Sequence, residues 1–187
     1  MYRILRSLLI VFVLLVLGVV LWVGYDVYTT GFSAKSEPPH LEVTLVRQVR
    51  RLSIPNEIRN TPNPIPTSTA VLTEGLEHFA DHCAGCHAND GSGKTKIGEN
   101  VYPRVPDLRL KEIQSMSDGE LFFIIHNGIR FTAMPAWGDS DMDKDRGSWK
   151  LVHFVRHLPQ LTPEELTHMK SLNPQRPHEP DGGDHHH

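Results

Sequence analysis

Cys83, Cys86 and His87 are the residues whose types and spacing point most directly to chemistry. Two thiols three positions apart lie within one helical turn, and an imidazole follows the second directly. A C-x-x-C-H run is the attachment signature for covalently bound haem of the c type. Each thiol can form a thioether to a haem vinyl group, and the histidine then lies where a ring nitrogen can ligate the iron. The chain has 2 cysteines in all, so no other thiol competes for the assignment. A thioredoxin-like redox pair would be expected beside a βαβ pattern, and the sequence shows none. A structural zinc site would need further Cys or His ligands at suitable spacing.

A low-spin electron-transfer haem takes a second axial ligand on the face opposite the histidine. Met134 is the leading candidate, because it falls in the loop Asn127 to Gly138 between two helices, where a thioether meets few steric limits. Met116 at a helix start, Met142 in an acidic loop and Met169 in the terminal helix read as filler or surface. His126 borders the helix end that feeds the loop and reads as structural or exposed, although it could rival Met134 for the iron. His78/His82 and His153/His157 are spaced i, i+4, as in helical metal sites. Both pairs lie on or beside polar faces, and no functional metal site is expected there. Gly91 and Gly93 lack the strand and the remaining fingerprint of a phosphate-binding loop. His178 and His185 to His187 fit either a copper, zinc or nickel site or the remnant of a purification tag.

The chain of 187 residues has room for one small domain with appendages. From Leu8 to Tyr25 it is apolar and uncharged, close to the length that spans a ~30 Å hydrocarbon core. Trp22, Tyr25 and Tyr28 suit an interfacial belt, and Arg3 and Arg6 place the amino end in the cytoplasm by the positive-inside rule. The stretch exceeds the ~7–15 residues of a signal-peptide apolar region, and only Gly31 to Ala34 offers a weak cleavage site. Residues 1–31 are therefore read as an uncleaved signal-anchor. Residues 32–67 contain Pro55, Pro62, Pro64 and Pro66 and read as an extended extracytoplasmic linker. The domain is expected over 68–160, followed over 161–187 by a terminal helix and a disordered tail.

Within the domain, Leu72, Leu76, Phe79 and Cys83 share one helical face, which directs the thiols into the core. Ser117 to Glu120 and Thr162 to Glu165 match capping boxes. A helix over about 148–158 has Leu151, Phe154, Val155 and Leu158 on its apolar side, and Pro159 stops it. No strand is strongly predicted, so the expected class is all-α.

The helix into Cys83–His87, the glycine-rich loop, Tyr102-Pro103, Asn127-Gly128-Ile129, Ala133 to Trp137 and the Trp149-bearing helix together resemble a bacterial class I cytochrome c. The resemblance covers about Ser68 to Pro159, and its paired C-x-x-C-H and M-P-x-W motifs make it specific. It implies one haem c, with His87 as proximal and Met134 as distal ligand. Phe79 would pack against the carboxy-terminal helix near Trp149, and a carbonyl of Pro103 or Pro106 would orient His87. Arg130 and Trp137 would contact the propionates, with a solvated loop charge as the equal alternative for Arg130. The implied function is one-electron transfer without catalysis, by a carrier or a subunit of a larger membrane complex in a respiratory chain, with protein redox partners. A peroxidase-like enzyme or a gas or redox sensor would need a labile sixth ligand. The net charge of −3 gives no nucleic-acid footprint. Asp139, Asp141, Asp143 and Asp145 read as a solvated acidic loop or a docking patch for a basic partner.

Overall fold

The structure, a computed structural model, describes residues 2–31 and 33–174. The histidines of the tail, and the disorder expected there, lie outside the described residues. The described residues are helical and contain no strand, in agreement with the all-α expectation. They divide into two units, residues 1–36 and 37–187.

The first unit is α1, Tyr2–Thr30. Its 29 residues make a helix about 43 Å long at ~1.5 Å per residue, enough to cross a bilayer core of ~30 Å. None of its span is buried by protein.

The second unit is wider than the domain read from the sequence. Residues expected to form an extended linker fold instead into α2, His40–Ser53, and α3, Asn56–Arg59. Three prolines lie after α3 and Pro55 stands just before it, where a fixed φ starts a helix rather than breaking one. The sequence of α2 mixes β-branched residues and arginines, but its position against the domain sorts them. Val43 and Arg50 are half-buried, while Leu41, Leu45, Val49 and Leu52 remain exposed. Ile54 and Ile65 are buried at 3% and 4% exposure. The Asn63 amide donates to the Trp149 carbonyl at 2.9 Å, tying this segment to the far end of the chain.

The core forms where α4, Thr69–His78, crosses α8, Arg146–His157. Phe79, Phe122, Leu151, Val152 and Phe154 are almost wholly enclosed. Each such side chain contributes roughly 1.5–3 kcal/mol of transfer free energy. Phe79 meets Phe154 at a centroid distance of 5.1 Å, whereas Trp149 stacks on Phe122 at 4.1 Å and 9°. The helix contact implied by the resemblance is therefore present with Phe154 in place of Trp149. Two polar residues of α8 are bonded to neighbouring segments. His153 contacts the Ile65 carbonyl and the Thr67 hydroxyl, and Arg156 bonds Asp118 and the Gln114 carbonyl.

Close approach of α4 and α8 depends on Gly75. A Cβ there would lie 2.6 Å from the Lys150 carbonyl oxygen and 3.0 Å from Phe154 Cβ. Gly75→Ala is expected to lower unfolding free energy by about 1–3 kcal/mol through overpacking. Gly147→Ala, whose nearest neighbour would be 3.5 Å away, should be nearly neutral. Denaturant titration of the two variants checks the difference.

Both expected capping boxes form. After the short α6, Lys111–Gln114, Ser117 and Glu120 cap α7, Asp118–Asn127, and Thr162 and Glu165 cap α9, Pro163–Leu172. Helix α9 is not a loose extension, because Met169 is completely buried against the core.

Candidate haem site

Helix α4 does not continue regularly into the cysteine motif. Phe79–Cys83 form a π-helical turn, and α5, Ala84–His87, follows it. The wide turn keeps Cys83 packed against the core cluster with Leu76 and Phe79, as the stripe predicts, while Cys86 does not pack there. Such turns occur frequently at functional sites. Both thiols are free and half-buried. Burial, with a smaller push from Cys86, raises the Cys83 thiol to about 12. It is thus protonated at neutral pH, the opposite of the low-pKa thiolate of a thioredoxin-like centre.

Burial pushes His87 down to about 4, which keeps its imidazole neutral at physiological pH. Neutral imidazole is the form that donates a lone pair to iron. Its Nδ1 is buried and has no hydrogen-bond partner, so the carbonyl bond from Pro103 or Pro106 is not made. A neutral, half-buried imidazole with an unpaired Nδ1 beside two free thiols fits covalent haem with axial histidine ligation.

The chain leaving His87 is closely held. Gly93 N–H donates to the His87 carbonyl at 2.8 Å, and the Thr95 hydroxyl donates to the Cys86 carbonyl at 3.2 Å. Arg109 grips both oxygens of Asp107, at 2.9 and 2.7 Å, and reaches Asp90 at 3.0 Å. This cluster pins the glycine-rich loop. Sequence reading missed it, because only folding brings Asp90 and Arg109 together.

Met134 is half-buried in the loop between α7 and α8. Gly128 begins that loop with φ 66° and ψ −169°, a region open essentially only to glycine. A Cβ there would also lie 2.6 Å from the backbone of Pro135 and Ala136. Ile129 N–H donates to the Met134 carbonyl at 3.0 Å, while the Thr132 hydroxyl accepts from Met134 N–H at 3.1 Å. The returning limb attaches to the end of α7, with Trp137 N–H on the Ile125 carbonyl and Gly138 N–H on the His126 carbonyl. Trp137 then meets the His82 ring edge-on at 5.4 Å. The Met134 loop and the cysteine motif, about fifty residues apart in sequence, thus touch through the neighbours of their key residues.

The other histidines and aspartates divide clearly. His78 and His82 lie 5.0 Å apart, but among the described residues no group of three or more donors could hold a metal. His157 bonds Glu165 at 2.8 Å. His126 is structural, with Nδ1 2.6 Å from Asp145. Asp145 is only 3% exposed and caps α8, so it does not belong to a surface acidic patch. Desolvation raises its pKa, but hydrogen bonds from Ser148 and His126 outweigh this and hold it below the usual carboxylate range. Asp139 and Asp143 remain exposed, and Asp141 pairs with Lys144.

An all-helical domain built on a C-x-x-C-H turn, with a first and a last helix crossing, is a class I c-type cytochrome domain. Residues 70–155 match the family described as Cytochrome C oxidase, cbb3-type, subunit III. The matched segment contains Cys83, Cys86, His87 and Met134, and the cofactor of this domain is covalently bound haem c.

Proposed function

We propose that this chain is a membrane-tethered electron-transfer protein whose haem is attached through Cys83 and Cys86 and ligated by His87 and Met134. The observation that carries the reading is His87, a half-buried neutral imidazole whose Nδ1 is buried and without a partner, set directly behind two free thiols. Bound haem supplies a one-electron ferrous/ferric couple, and a Met/His ligand pair raises its potential. The chain's own contribution is rigidity. The glycine-rich loop is bonded to the backbone of Cys86 and His87, and the Met134 loop is bonded to α7. Residues so constrained have little to rearrange when the charge on the iron changes. Arg130 and Trp137 are the candidates to meet the propionates.

The proposal puts α1 across the cytoplasmic membrane, with residues 37–174 on the extracytoplasmic side as part of a respiratory chain, either as a carrier or as a subunit of a larger complex. Two positions support this sidedness: Arg3 and Arg6 precede the apolar run, and haem attachment of this type is expected outside the cytoplasm.

Two measurements test it. Oxidised protein should show the weak far-red band of an Fe–S(Met) bond, and a high-spin spectrum that binds carbon monoxide freely would reject the ligand set. Carbonate-washed membranes should retain the full-length chain, while added protease should digest the haem domain in spheroplasts. Release by carbonate would indicate a cleaved signal instead, and protection from protease would reverse the orientation.

A further inference from the structure

We propose that His126 and Asp145 form a buried clamp that positions Met134, so that the distal ligand is set from the amino end of α8. The proposal rests on the assignment of Met134 as a haem ligand. The internal bonds of the loop, between Ile129, Thr132 and Met134, define its shape but not where it sits. Its seat is the last turn of α7. Trp137 and Gly138 donate to the Ile125 and His126 carbonyls, and Gly138 lies so close to the His126 ring that any Cβ would overlap it. The limb four residues beyond Met134 therefore rests on the imidazole itself.

That imidazole is fixed on its other sides. Its Nδ1 lies 2.6 Å from Asp145 Oδ2, and the two side chains are 10% and 3% exposed. Asp145 Oδ1 accepts from Ser148 N–H at 2.9 Å, which holds the carboxylate at the start of a 12-residue helix. His126 also stacks on Phe122 at 5.5 Å and 28°, and Phe122 stacks on Trp149 of α8. Charged hydrogen bonds are strong when enclosed, and removing one partner strands the other. The ring can therefore move only if α8 gives up its cap, and the loop moves with the ring. His126 and Asp145 are positioning residues, because neither needs to touch the haem.

Asn is nearly as good a helix cap as Asp. Asp145→Asn thus retains the start of α8 while removing the charge that faces His126. In full-length, haem-loaded protein this variant should lose much of the Fe–S(Met) band on mild warming. Carbon monoxide should bind the ferrous form about tenfold faster, the size expected when a hydrogen bond to a charged group is lost. Far-UV circular dichroism and covalent haem content should stay as in the parent. His126→Phe keeps an aromatic ring on Phe122 and strands Asp145, so it should behave alike. Asp143→Asn, exposed in the same loop, should change nothing. The clamp is overturned if both variants keep the parent's band and carbon monoxide rate, or if the band disappears only together with global unfolding. Absence of the band in the parent would reject the Met134 assignment instead. A band lost in Met134→Ala but intact in Asp145→Asn and His126→Phe would reject the clamp alone.

Discussion

Met134→Ala is expected to leave haem on the polypeptide while changing what the iron can do. The thioethers come from Cys83 and Cys86, at the far end of the π-turn and in α5, so pigment content should equal that of the parent. The Fe–S(Met) band should vanish. The midpoint potential should fall by on the order of 100 mV or more, within the ~0.8 V over which axial ligands tune haem potentials. The sign follows from chemistry, since a thioether favours ferrous iron relative to water or nitrogen ligands. The vacated position should take carbon monoxide or imidazole readily. Global stability should change less than in a core deletion, because Met134 is half-buried in a loop whose bonds are made by backbone and Thr132. Met116→Ala and Met142→Ala are controls: both side chains pack against the core cluster, so each should affect stability rather than the spectrum. An unchanged spectrum and potential in Met134→Ala would remove Met134 from the site. The search for the sixth ligand would then move to His126, whose Nδ1 faces Asp145 and whose Nε2 would be the nitrogen to test, and to the other methionines.

The second large effect is expected from removing both thiols. Cys83→Ala with Cys86→Ala should abolish covalent haem completely, so that acid–acetone extracts all pigment and denaturing gels show no haem stain. Each single variant should keep one thioether and an intermediate pigment yield. Cys83 packs against the core cluster while Cys86 does not, so Cys83→Ala should be the more destabilising of the two. Its cost should be about 1 kcal/mol, typical of a single substitution at a half-buried site, read by denaturant titration of the two single variants. Retention of pigment by the double variant through acid–acetone would mean that haem is held elsewhere, and the reading of residues 83–87 would fail.

What could be read along the chain was what short-range chemistry dictates. The C-x-x-C-H run needs only five residues to announce covalently bound haem c. The capping boxes at Ser117 and Thr162 are closed within one turn, and the apolar run of α1 is a matter of length and composition. The helical class followed from periodicity, whereas α8 ends at His157 and passes into a 3-10 turn, Leu158–Gln160, that contains the expected stop residue Pro159. Long-range contacts decided the rest. Residues 40–53 have a mixed sequence that becomes a helix when Val43 and Arg50 turn toward the domain, and Ile54 and Ile65 lose their linker character only because a core accepts them. Asp145 looks like three neighbouring aspartates until His126, nineteen residues away, and the amino end of α8 enclose it. Phe154 rather than Trp149 meets Phe79, because the wide turn at Phe79–Cys83 and the close approach at Gly75 set how α4 lies on α8. Local pattern specifies which groups can act and which segments can be helical. Burial and partner choice are properties of surfaces that meet across the fold, and only the tertiary structure supplies those.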